Sequence, residues 1–168
     1  VEKRLMALER EEAALSAVEA IEAAGGSATW HQVDLREIDA VSAIMAGVVE
    51  AHGKVDALIH AGGVEISRRT EDKPVAQFDL VFDIKADGLF GLLEGLGEAP
   101  LGALVSFSSV AGRFGNNGQL DYAAANDLLV KTTRWLGANT PARGVAIDWT
   151  AWADIGMATR GSIPATME

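Results

Sequence analysis

The rhythm of apolar and polar residues changes several times along this chain, and each change predicts an element. Residues 1–26, "VEKRLMALEREEAALSAVEAIEAAGG", mix Ala, Leu and Glu with charge pairs four apart and close on two glycines, which predicts a surface helix with one buried face. "SATWHQVDL" predicts a short strand, "REIDAVSAIMAGVVEAHGK" a helix, and "VDALIHAGG" a buried strand broken by glycines. A helix from about Pro74 to Gly97 follows, then a second buried strand, "LGALVSFSS", and a loop, "VAGRFGNNGQ". A helix from about Leu120 to Asn139, a last strand "GVAIDWT" and an irregular tail complete the pattern.

Strands that alternate with amphipathic helices predict an α/β protein whose parallel sheet is covered by helices on both faces. Such sheets bind ligands at the carboxyl ends of their strands. That rule selects Asp34, "HAGG", "FSS" and "DWT". No internal repeat, low-complexity tract or linker interrupts the pattern.

Two helices carry polar residues on apolar faces. Phe78, Val81, Phe82, Leu89 and Leu92 share one face of the long helix, and Lys85 falls among them. An unpaired buried ammonium is costly, so Lys85 either snorkels from a partly covered stripe or is held inward for chemistry. On the later helix Tyr122, Asn126, Leu129 and Val130 form one stripe, so that phenol and amide project together. A core tyrosine bonded to a neighbouring amide has the same pattern. Ser109, at the end of a buried strand, adds a hydroxyl where a ligand would lie.

Composition narrows the chemistry. The chain has 168 residues, 49% of them apolar, enough for one domain with a substantial core. It has no cysteine, which removes disulfides and thiolate chemistry, and His31, His52 and His60 are too scattered for a metal cluster. A formal charge of −10 opposes binding to nucleic acid or an anionic membrane. No apolar run approaches the roughly 18 residues of a membrane helix and no signal peptide is visible, so a cytoplasmic protein is expected.

"HAGG", "FSSVAG" and "YAAAN", with a lysine on the preceding long helix, resemble the ketoreductase domains of type I polyketide and polyunsaturated-fatty-acid synthases, a branch of the short-chain dehydrogenase/reductases. The usual pattern of that superfamily is Tyr-x-x-x-Lys with an asparagine on the earlier helix, and ketoreductase domains exchange the two positions. Asn126 stands where the lysine usually is, and Lys85 where the asparagine usually is. The resemblance implies that Tyr122 is the proton donor and that Ser109 hydrogen-bonds the substrate carbonyl. It implies that Lys85 lowers the tyrosine pKa and bonds the nicotinamide ribose, and that Asn126 orients the lysine and a relay water. Hydride transfer builds charge on the ketone oxygen, so an acid must meet it there, and an unperturbed phenol near about pKa 10 is a weak one at neutral pH.

The same resemblance assigns Asp34 and Leu35 to the adenine, Ala61 and Gly62 to the close approach of the cofactor, Lys85 and Tyr122 to its ribose, and Trp149 to the nicotinamide or acyl group. From the residues alone Asp34 also reads as a helix N-cap, Ala61-Gly62 as a plain turn and Trp149 as core. NADPH is implied by the family. So are a β-ketoacyl substrate on an acyl carrier protein and the other domains of a multidomain synthase as partners. A free-standing reductase of a small or CoA-linked ketone and a non-catalytic structural subdomain are the alternatives.

The glycine-rich pyrophosphate loop is absent, and "GLGEAPLG" is a decoy because it follows a helix and precedes a strand. Residues 1–168 are therefore expected to be the C-terminal catalytic part of a single ketoreductase domain. The fold expected is a partial Rossmann-like doubly wound sheet without its first βαβ unit, inactive when isolated. "VEISRR" after "HAGG" lacks the Leu-Asp-Asp signature of one ketoreductase type, and Phe114 gives a lean to the other.

Overall fold

The protein, described from a computed structural model, is defined over residues 2–152. The chain divides between Gln32 and Val33 into two compact units. The first holds α1 (Glu2–Ala23), which ends where Gly25 takes a positive φ of 85° and its N–H returns to the Glu22 carbonyl.

The second unit runs α2 (Ile38–His52), β1 (Val55–His60), α3 (Val75–Leu96), β2 (Leu101–Ser109), α4 (Val110–Phe114), α5 (Leu120–Asn139) and β3 (Arg143–Trp149). The strands form a parallel sheet in the order β1-β2-β3, with Leu58 opposite Leu104 and Ser109 opposite Trp149. This is a Rossmann-like α/β arrangement, with a crossover helix between each pair of successive strands.

Helices α2, α3 and α5 pack side by side, and α5 lies on β2 and β3. Met45, Leu58, Leu89, Leu104, Leu129 and Leu136 form the core beneath them. Gly95 lets α2 and α3 approach closely, since a Cβ there would run into the Ser42 carbonyl. Two hydroxyls rivet α5 to β2: Ser106 Oγ meets Thr133 Oγ1 at 2.7 Å, and Ser108 Oγ donates to the Asn126 carbonyl at 3.2 Å. These buried bonds fix the rotation of α5, and hence the direction of the stripe that holds Tyr122.

Three expectations change. Within this unit the helices cover one face of the sheet; on the other, Ile59 is 59% exposed and Val105, Phe107 and Ile147 are half-buried. The strand expected over "SATWHQVDL" is irregular from residue 26 to 34. A strand exists only with a neighbour, and among the described residues β1 pairs with β2 alone. The expected loop after β2 begins instead as the short helix α4, because the Ser109 hydroxyl accepts from Ala111 N–H at 3.1 Å and caps it.

Candidate active site

The carboxyl ends of the strands and the inward faces of α3 and α5 bring the predicted residues to one place. Lys85, on the apolar face of α3, is 3% exposed, and its ammonium donates to the Phe107 carbonyl on β2 at 3.1 Å. Burial lowers its pKa to about 8 from the usual 10.5. Of the two readings open to Lys85, the structure shows the inward one: Val81 and Leu89 beside it are fully buried, while Phe78, Phe82 and Leu92 on the same face are half-buried.

The Lys85 ammonium lies 5.7 Å from the centre of the Tyr122 ring, within range of a cation–π contact. Burial nevertheless raises the Tyr122 pKa above its ordinary value. The neighbouring Ser109 and Asn126 side chains work in the opposite direction, and the Glu65 carboxylate adds to the rise. The expected depression of the phenol by Lys85 is therefore not realised in this state: desolvation dominates, and the ammonium is turned to a backbone carbonyl.

Asn126 is fully buried, with its amide N–H donated to the Tyr122 carbonyl at 2.7 Å. Its Oδ1 has no partner in the protein. The lysine is thus held by Phe107, while Asn126 fastens the helix backbone beneath the phenol. Gly112 permits this packing, because a Cβ on it would strike Asn126 and the backbone of Asp127.

The residues expected to meet a cofactor lie along the same strand ends. Leu35 packs on Gly62, where a Cβ would collide with the leucine side chain. Asp34 is exposed, and its carboxylate receives the Arg36 backbone N–H, Nε at 3.0 Å and an Nη at 2.6 Å. Those bonds hold its pKa at about 2. It does not cap α2, whose N-cap position is Glu37. Ala61 follows β1 directly. Trp149 ends β3 against Phe107 at 5.6 Å and Trp152 at 4.8 Å, and its Nε1 is buried without a partner.

These groups fit a hydroxyl-rich ligand. Lys85 uses one of its three donors, and Asn126 Oδ1 and Trp149 Nε1 are buried polar atoms without partners. A nicotinamide cofactor would find Lys85 and Tyr122 for its ribose, Ala61 and Gly62 as a surface of small side chains, Asp34 and Leu35 toward its adenine, and Trp149 beside its ring.

Sequence reasoning missed several residues around the site. Gly63 faces Lys85, whose Cε would lie 2.8 Å from a Cβ placed there. His60 is 2% exposed and its Nε2 donates to the Lys85 carbonyl at 3.0 Å, with burial lowering its pKa to about 4. Glycine doublets and a strand-end histidine signal a turn in sequence, and only the packed helix gives them this task.

The family model described as "KR domain" matches residues 2–154. A polyunsaturated fatty acid synthase subunit from Thraustochytrium sp. (strain ATCC 26185 / S-3) is 41% identical over 117 residues, which are 69% of this chain and 4% of that protein. The short-chain reductase protein NovJ of Streptomyces niveus is 33% identical over 135 residues, 78% of this chain and 51% of that protein. Among solved structures, PlmKR1, the ketoreductase from the first module of phoslactomycin biosynthesis in Streptomyces sp. HK803, is similar with a TM-score of 0.78 and 30% identity. That likeness covers 89% of this chain and 34% of PlmKR1. The chain thus spans a small part of the synthase, about half of NovJ and about a third of PlmKR1.

Proposed function

Since this chain belongs to the KR-domain family, we propose that it reduces the ketone of a β-ketoacyl thioester carried on an acyl carrier protein, with NADPH as reductant. The observation that carries this reading is the convergence of the Tyr122 phenol, the Ser109 hydroxyl and the Asn126 amide, with the Lys85 ammonium 5.7 Å from the phenol ring.

When bound, the cofactor supplies hydride. The chain's own residues handle the charge that appears on the ketone oxygen. Ser109 donates a hydrogen bond to that oxygen, and Tyr122 delivers the proton that converts it to a hydroxyl. Lys85, 5.7 Å from the ring, stabilises the phenolate left behind. Asn126, fixed on α5, offers Oδ1 to a water that returns a proton to Tyr122. The other domains of a synthase would present the carrier-bound substrate.

The test offers the full-length protein the same β-ketoacyl group on a carrier protein, on CoA and as a small free ketone, with NADPH and NADH in parallel. Fastest consumption of NADPH with the carrier-bound substrate is expected. Preference for the CoA or small ketone would replace this reading with that of a free-standing reductase. No turnover and no cofactor binding would leave a structural subdomain.

A further inference from the structure

Two charged side chains at the edge of the site have no part in the chemistry above. Lys73 and Asp121 are 3% and 1% exposed, and the Lys73 ammonium lies 2.6 Å from each carboxylate oxygen of Asp121. Lys73 also donates to the Ile66 carbonyl at 2.9 Å, so its three donors are all engaged. Asp121 Oδ1 accepts the backbone N–H of Tyr122 at 2.9 Å, in the first turn of α5, where an anion complements the positive end of the helix.

A buried ion pair is a poor way to gain stability, because an apolar pair of similar volume usually does as well or better. Its value lies in geometry. Lys73 immediately precedes Pro74, the N-cap of α3, and α3 carries Lys85. Asp121 immediately precedes Tyr122 on α5. One ion pair therefore pins the starts of the two helices whose side chains converge on the ketone site. The bond from Lys73 to Ile66 draws in the segment that follows β1, which is seamed to the approach to α5 by two more bonds. Arg68 N–H donates to the Gly118 carbonyl at 2.9 Å, and Gln119 Nε2 to Ser67 Oγ at 3.3 Å.

We propose that Lys73 and Asp121 are a positioning pair, setting where the Tyr122 phenol stands relative to Lys85 and to the 64–73 segment. This rests on Tyr122 being the proton donor. The two charges face and neutralise one another, so the pair acts through place rather than through net charge.

The test is the double variant Lys73→Met/Asp121→Leu in the full-length protein, which leaves no charge stranded. The expected result is a melting temperature within a few degrees of the parent, cofactor affinity within about threefold, and kcat for β-ketoacyl reduction lower by roughly tenfold to a hundredfold. The pH dependence of kcat should keep its midpoint, and amide exchange over residues 120–126 should speed up. Parental kcat in the folded double variant would overturn the proposal. If the double variant does not fold, Asp121→Glu carries the test. It keeps the charge but lengthens the arm, so lowered kcat is expected, and parental kcat would overturn the proposal. Tyr122→Phe run alongside separates the two failures. An active Tyr122→Phe defeats the proton-donor reading itself, whereas an inactive one beside a fully active double variant defeats only the positioning role.

Discussion

The ammonium of Lys85 stands 5.7 Å from the centre of the Tyr122 ring while its hydrogen bond goes to the carbonyl of Phe107, 3.1 Å away. The two groups are close enough to interact, yet each is governed first by its own burial, which lowers the lysine and raises the tyrosine. A bound ligand that takes up the free donors of Lys85 and displaces water would strengthen the coupling between them.

Lys85 should therefore cost stability while serving activity. Its pKa is about 8 in the folded protein against 10.5 for an unburied lysine. Below about pH 8 both states hold the proton and the burial penalty is fully present; between these values the unfolded state binds more protons, so stability rises with pH. Lys85→Met should be more stable than the parent at pH 7 by about 2 kcal/mol, after allowing for the lost bond to Phe107, with the gap closing toward pH 10. Its reductase activity should fall by about a hundredfold or more. Denaturant melts at a series of pH values, with an activity assay, measure both effects. A variant less stable at pH 7 than the parent contradicts this account.

His60 predicts the opposite end of the pH range. With its pKa lowered to about 4 from 6.5, the buried imidazole is neutral in the native protein, and the unfolded chain takes up its proton first on acidification. Stability supplied by His60 is present above pH 6.5 and is lost as pH falls through about 4, a loss of about 3 kcal/mol. His60→Gln should flatten the stability curve between those values relative to the parent. Parallel curves would show that His60 does not drive the acid limb.

Gly63 should be more important to rate than to folding. Alanine there would place a Cβ 2.8 Å from Lys85 Cε and 3.1 Å from Nζ, and the flexible end of the lysine can move away. Gly63→Ala should melt within a few degrees of the parent and lose about tenfold in kcat, since the ammonium is displaced from Phe107. Unchanged kcat would mean that the location of Lys85 is not critical.

Much of this is legible in the sequence, for physical reasons that differ by element. α3 and α5 are long and periodic, and β1 and β2 are short apolar runs between breakers, so their types follow from pattern. The apolar face that Lys85 shares with Val81 and Leu89 is visible in the sequence, but whether the ammonium snorkels or turns inward is decided only by the packing. The segment 27–35 looks like a strand because its residues favour one, but strand formation depends on a neighbour that local pattern does not report. Lys73 and Asp121 are 48 positions apart and each reads as a solvated charge until the fold joins them. The direction of the Tyr122 shift is illegible too, because it depends on how burial and neighbouring charges balance in three dimensions.

The most direct test of the central claim is Tyr122→Phe in the full-length protein, followed by single-turnover reduction of a carrier-bound β-ketoacyl thioester and by a separate NADPH titration. The phenyl ring keeps the packing on α5 and removes only the hydroxyl proposed to give up the proton. Reduction should fall by about a thousandfold while NADPH affinity stays within a few fold, since the lost group serves the transition state. Near-normal turnover by the variant would contradict the account.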